Sequence, residues 1–357
     1  MKKIKISDIA LKILESPNIV SRKPVFEKYD KNVQANTVLE RGMAEAGVTT
    51  PLQHFAELPE DKQKIGVATA IAGNPLYGKL SAFSQGENAV AEATMKIFAV
   101  GAEPLSYTDC LNFGNPEKKE QMGDFASGVD GVSEAGKKLD VPIISGNVSF
   151  YNESDTSAIP PSVSIFCVGK IEDSSKAIKN FIAEKDKKRK FKVFILGERR
   201  DELGGSIFYN LLQKKGKNVP KADFSKIKKW GNSLVQCAQK ELIYSSKVIS
   251  IGGLFSAIAD VSIRSNLGIT VSLEKVPDHN LKKFQKLFSE TFGFLLFVED
   301  EKVKDMKDIF NKNKIDILEI AHTGGSKIKF LDEGSEVIKF DINKIKKTYQ
   351  EKLLNLF

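Results

Sequence analysis

The sequence predicts a soluble two-domain chain, an α/β unit followed by an α+β unit. Three observations carry this. The length of 357 residues suits two domains of ordinary size. Short apolar runs and helix-period segments alternate from Ile65 onward. Between about 172 and 190 the composition turns polar and lysine-rich, which marks a boundary. The expected segments are therefore 1–30, an N-terminal helix and linker, then 31–172 and 190–357.

In the first segment Ile6, Ile9, Ala10, Ile13 and Leu14 share one helical face, and Pro17 and Pro24 break the pattern. Ile65–Ala72 is a short apolar run. Gly86–Val100 reads as a helix through Ala89, Val90, Ala93 and Ile97, with Gly101 suited to a left-handed stop. Leu105–Thr108 is short and extended. Phe125, Val129, Val132, Ala135 and Leu139 mark another amphipathic helix. Val141–Ser145 reads as a buried strand stopped by Gly146–Asn147, and Val163–Val168 as one more. The second unit opens with a strand at Phe191–Leu196, a turn at 201–206 and a helix through Phe208, Leu211 and Leu212. Leu234–Leu242, Ile249–Ala259, Ile269–Leu273 and Leu295–Val298 supply further elements.

Several function classes are excluded early. No apolar run reaches about 18 residues, so no membrane span is expected, and the charged start MKKIKISDIALKILES is no signal peptide. Cys110, Cys167 and Cys237 are odd in number and far apart, which fits reduced thiols in a cytoplasmic protein. Cys110 reads as a packed thiol rather than a nucleophile. The net charge of +8 is compatible with phosphorylated ligands, but the one dense basic run, Lys185–Lys192, reads as a solvated connector, so no nucleic-acid partner is expected. No phosphate loop, dinucleotide fingerprint or zinc motif occurs, and His54, His279 and His322 are too scattered for a triad.

Two polar clusters remain. T-D-C-L-N-F-G-N-P-E, Thr108–Glu117, follows a short strand and reads as a sharply shaped loop. S-G-N-V-S-F-Y-N-E, Ser145–Glu153, sits at a strand end, where α/β ligand sites tend to lie. A hard oxygen ligand such as Asn147 suits magnesium on phosphates better than zinc. Each cluster alone reads equally well as a turn-rich connection.

Together and in order, they resemble the T-D-x-L-N-F-G-N-P-E and S-G-N-V-S-x-Y-N-E segments of phosphoribosylformylglycinamidine synthases. The blocks S-P-N-I-V-S-R-K (16–23), Y-D-K-N-V-Q-A-N-T-V (29–38), A-V-A-E-A (89–93), I-P-P-S-V (159–163), V-G-K-I-E-D (168–173), L-G-E-R-R-D-E-L-G-G-S (196–206) and F-S-E-T (288–291) match in sequence order too. The resemblance is to the C-terminal half of the large synthetase subunit. It implies the second of two aminoimidazole-ribonucleotide-synthetase-like copies, with an A domain at 31–172 and a B domain at 190–357.

That family uses ATP to activate the amide oxygen of formylglycinamide ribonucleotide as an iminophosphate, which ammonia from a separate glutaminase then displaces. The resemblance implies ATP and Mg2+ as cofactors. It implies a first-copy half, a glutaminase subunit and a small bridging subunit as partners. Carried onto matching positions, it implies that Asp109 and Gly146 contact ATP, Asn147 ligates magnesium and Ser149 contacts the ribonucleotide. The family's catalytic histidine lies in the first copy, so no catalytic residue is assigned here. The B-domain motif often written S-A-H-D-x-S-D-G-G-L reads S-S-K-V-I-S-I-G-G-L at 245–254, with Lys247, Val248 and Ile251 in place of a histidine and two aspartates. Gly293–Phe294 likewise stands where arginine is frequent. A naturally split subunit, a truncated fragment and a non-catalytic nucleotide-binding or assembly module are the readings that remain.

Overall fold

A computed structural model describes residues 5–354. Residues 1–4 and 355–357, the outer ends of the expected 1–30 and 190–357 segments, lie outside the described residues. The helices are α1 (Ile6–Leu14), α2 (Lys23–Phe26), α3 (Glu60–Gln63), α4 (Pro75–Gly78), α5 (Ala82–Ala99), α6 (Lys119–Leu139), α7 (Ile207–Leu211), α8 (Phe224–Gln239), α9 (Gly253–Ser265), α10 (Lys283–Phe288), α11 (Val303–Lys312) and α12 (Ile342–Leu354).

The strands form two sheets. β1 (Thr37–Leu39), β2 (Gly47–Thr49), β3 (Gly66–Ala72), β4 (Glu103–Asn112), β5 (Ile143–Ser149) and β6 (Ser162–Ile171) make the first, in the order β1-β2-β3-β6-β4-β5. β7 (Phe191–Leu196), β8 (Ser245–Ile249), β9 (Ile269–Ser272), β10 (Gly293–Glu299), β11 (Leu318–Thr323), β12 (Lys327–Asp332) and β13 (Ser335–Asp341) make the second, in the order β13-β12-β9-β11-β7-β10-β8.

The apolar periods explain the layers. In β3 and β6 alternate residues Ala68, Ala70, Ala72, Val163, Ile165 and Cys167 are buried in one core with α5 and α6. The second sheet is buried on both faces at its central strands β7 and β10, which read as nearly unbroken apolar runs, whereas β12 and β13 alternate. Phe194 and Leu196 face the core shared with α5 and α8. Val193 and Ile195 face a second core, filled by α1, α9 and α12. The N-terminal helix therefore packs with the second sheet through Ile9, Ala10, Ile13 and Leu14.

Helix ends follow local chemistry. Ser81 accepts a hydrogen bond from Ser84 N at 3.1 Å at the start of α5, and Gly101 takes φ +82° just beyond its end. Two strand expectations are corrected. β4 continues past Thr108 to Asn112, because β5 and β6 pair with it on both sides. β5 is neither buried nor stopped at Gly146–Asn147. It is the last strand of its sheet and runs exposed to Ser149. The segment Ile249–Ala259 straddles the end of β8 and the first half of α9.

Candidate functional site

The two polar clusters form one structure. β4 and β5 are parallel, with Asp109 opposite Gly146, Cys110 opposite Asn147 and Asn112 opposite Ser149. Beyond the strands the chains knit together. Phe113 N donates to Ser149 O at 3.0 Å, Tyr151 N to Gly114 O at 3.0 Å and Asn152 N to Phe113 O at 3.1 Å. Asn152 Nδ2 donates to Phe113 O at 3.0 Å and to Ser149 O at 2.8 Å. Glu153 accepts from Asn115 N at 3.3 Å and pairs with Lys118 at 2.8 Å. Asn152 cross-links the two segments, Asn115 Oδ1 accepts from Glu117 N at 2.9 Å to hold a turn, and a Cβ on Gly114 would lie 2.4 Å from Gln121 Oε1.

Strand alternation divides the named residues between two faces. Asp109 lies in line with Tyr107 and Leu111, which are buried towards the helices. Its carboxylate occupies the space beside Gly146, where an added Cβ would lie 2.2 Å from Oδ1. Burial raises the Asp109 carboxyl, opposed by a hydrogen bond from the Asn147 backbone N–H. Asn147 and Ser149 lie on the opposite face, Asn147 exposed and Ser149 half-buried. Ser149 Oγ donates to Asn152 Oδ1 at 3.3 Å. The four residues thus lie on two neighbouring strands, Asp109 on β4 and Gly146, Asn147 and Ser149 on the edge strand β5, with Asp109 on the opposite face of the sheet from Asn147 and Ser149.

Among the described residues, no group of three or more His, Cys, Asp or Glu side chains is arranged to hold a metal ion. Asn147 offers one neutral oxygen, and a magnesium ion commonly takes carboxylate, water and phosphate oxygens besides. The donor set fits a metal whose other ligands come from phosphates or another chain. None of His54, His279 and His322 lies in these segments; His279, for example, pairs with Glu198 at 3.2 Å.

A second convergence was not singled out by sequence. Glu290, in the F-S-E-T block, is fully buried. It accepts from Ile207 N at 2.9 Å, Gly252 N at 2.8 Å and Tyr77 Oη at 2.6 Å. Burial raises its carboxyl to about 7, against the pull of these three donors. Beside it the buried Arg199 guanidinium donates to Thr291 O at 2.6 Å, and burial lowers it to about 10. Three blocks of the family resemblance therefore meet around one carboxylate. The glycine-rich blocks and the lone F-S-E-T were the available signal.

Comparison with known proteins agrees with this architecture. Residues 45–171 match the N-terminal domain of AIR synthase related proteins, and residues 192–332 match their C-terminal domain. The chain belongs to this family. It is 34% identical over 345 residues to the phosphoribosylformylglycinamidine synthase subunit PurL of Methanothrix thermoacetophila, covering 94% of this chain and 43% of the relative. It is 33% identical over 355 residues to the PurL subunit of Methanocaldococcus jannaschii, covering 97% of this chain and 46% of the relative. The chain thus spans less than half the length of these curated relatives. Among solved structures, T. maritima PurL complexed with FGAR superposes with a TM-score of 0.76 at 14% identity, over 96% of this chain and 54% of that one. Thiamine-monophosphate kinase from Stenotrophomonas maltophilia superposes with a TM-score of 0.53 at 14% identity, over 76% of this chain and 85% of that one. At these identities the likeness is one of fold.

Proposed function

We propose that this chain supplies the C-terminal half of a phosphoribosylformylglycinamidine synthase synthetase subunit and works with a first-copy partner. The observation that carries the proposal is the open edge strand β5, which carries the second polar cluster beside the first on β4. β5 exposes Ile144 at 69% and Val148 at 44%. On the face away from α5 and α6, the cross-strand pair Ile71 and Phe166 is exposed at 58% and 37%. An unpaired strand edge beside exposed apolar side chains calls for a covering chain. The relatives named PurL are roughly twice as long, so the missing half of such a subunit has the right size to cover it.

In this reading the reaction is ATP-dependent conversion of formylglycinamide ribonucleotide to formylglycinamidine ribonucleotide in the cytoplasm. A glutaminase subunit delivers the ammonia and a small bridging subunit joins the assembly. Asp109 and the Gly146 backbone contact ATP, Asn147 holds Mg2+ at the phosphates, and Ser149 contacts the ribonucleotide. The physical demand is positioning and charge neutralisation rather than covalent help from this chain. The first-copy half contributes the catalytic histidine.

The test is product formation from formylglycinamide ribonucleotide, ATP and ammonia, with and without the first-copy half. Turnover that needs both chains and is lost in Asn147→Ala supports the reading. Turnover by this chain alone, or an undiminished Asn147→Ala complex, sinks it. A non-catalytic assembly module is the second reading, favoured by the replacement of the acidic 245–254 motif with Lys247. It predicts a stable complex in which Asn147→Ala changes nothing.

A further inference from the structure

The altered motif at 245–254 places an ammonium group between two carboxylates drawn from different halves of the chain. Lys247 Nζ lies 2.7 Å from Glu45 Oε1 and 3.0 Å from Asp260 Oδ2. Glu45 lies two residues before β2 of the first sheet, whereas Lys247 lies on β8 and Asp260 on α9. Arg264 completes the group: its Nε meets Asp260 Oδ1 at 2.8 Å, and its Nη1 reaches back across the joint to the Gly42 carbonyl at 2.5 Å. Tyr349 Oη donates to Asp260 Oδ1 at 3.1 Å from α12. All these residues line a cleft of about 720 Å³ between the two halves.

We infer that Lys247 is a built-in counter-ion that latches the 40–46 segment of the first half to the second half, and so fixes the width of this cleft without a metal. The charges are strongly coupled. Burial by itself would lower the Lys247 ammonium, but Asp260 and Glu45 outweigh it and the group is raised. Burial by itself would raise the Asp260 carboxyl, but Arg264 and Lys247 hold it well below the usual range. A lysine with a raised value contributes stability that is complete below its unfolded value of about 10.4 and lost above. An aspartate with a lowered value contributes stability that is complete above about 3.9 and lost as the pH falls below it. Glu45 also accepts from Asn180 Nδ2 at 3.1 Å and Val248 N at 3.4 Å, so the same carboxylate clips the edge of β8. This inference rests on the geometry of the joint and stands apart from the proposed reaction.

Hydrogen exchange on the full chain reads the latch directly. Glu45→Gln leaves the Lys247–Asp260 pair in place, and Lys247→Met removes the cation. Each should speed exchange of the 40–46 amides at least about tenfold, while amides of β3 and β6 stay slow. The double variant should be no faster in this segment than the faster single one, because both changes break one interaction. Glu45→Gln alone decides the matter if Lys247→Met does not fold. Unchanged exchange at 40–46 in Glu45→Gln, or additive effects in the double variant, would overturn the inference. Magnesium or a chelator should leave exchange at 40–46 unchanged in the native chain. A magnesium-dependent change would show that a metal closes the joint instead.

Discussion

Segments 145–153 and 245–254 both begin on the last strand of a sheet, yet they end in opposite environments. β5 presents Gly146 and Asn147 to solvent, and among the described residues its outer edge has no strand beside it. β8 ends the second sheet, but its residues are buried except for the half-buried Lys247. Ser246 N donates to Lys179 O at 3.0 Å, and Glu45 covers Val248 N and the lysine. The same topological position therefore serves two ends. Where the chain supplies its own cover, the outward N–H groups of Ser246 and Val248 are taken up internally. Where it does not, they stay available to a ligand or partner.

The comparison can be broken most sharply at the covered edge. Lys247→Met leaves Glu45 with no cation and Asp260 with Arg264 alone in the joint, and should cost up to about 3 kcal/mol, read from urea midpoints. Lys247→Arg, which keeps the charge, should cost much less. A loss within about 0.5 kcal/mol for the Met variant would mean that the covered edge is no more committed than the open one.

Glu290 offers a pH test within the same covered half. Its folded carboxyl is raised to about 7, so its ionisation weakens the fold. Stability should fall as the pH rises from about 4.5 to 7 and level off above that, by up to about 3 kcal/mol. Glu290→Gln keeps an acceptor for Gly252 and Ile207 and should flatten this slope. Identical slopes in the two proteins would rule the effect out.

At the open edge the effects should shift from stability to function. Gly146→Val drives a side chain against the Asp109 carboxylate and should cost about 1–3 kcal/mol, along with ATP-dependent turnover in the complex. Asn147→Ala should change stability by no more than about 0.5 kcal/mol, since the residue is exposed on the edge strand. Its effect should fall on turnover with the first-copy half, by about 100-fold or more. A stability loss as large as that of the Lys247 variant would erase the contrast between the two edges.

The sequence by itself determined the alternation of elements, because strand and helix periods are local. Phe191–Leu196 is a strand with the expected limits, and the apolar face of α1 is the one formed by Ile9, Ala10, Ile13 and Leu14. It also marked out both polar clusters, because asparagine, glycine and proline leave a local signature. Tertiary structure decided what each cluster faces. The segment Val141–Ser145 looks like a buried strand, yet Ile144 is exposed because, among the described residues, no strand lies beyond β5. The strand reading of Thr108–Asn112 likewise needed partners on both sides, which turn propensity does not reveal. Glu45 and Asp260 are ordinary surface residue types in the sequence, and only the packing of α9 and β8 against the start of the first sheet brings them to Lys247. Periodicity is written along the chain, whereas burial and charge pairing depend on which distant segments come to lie beside it.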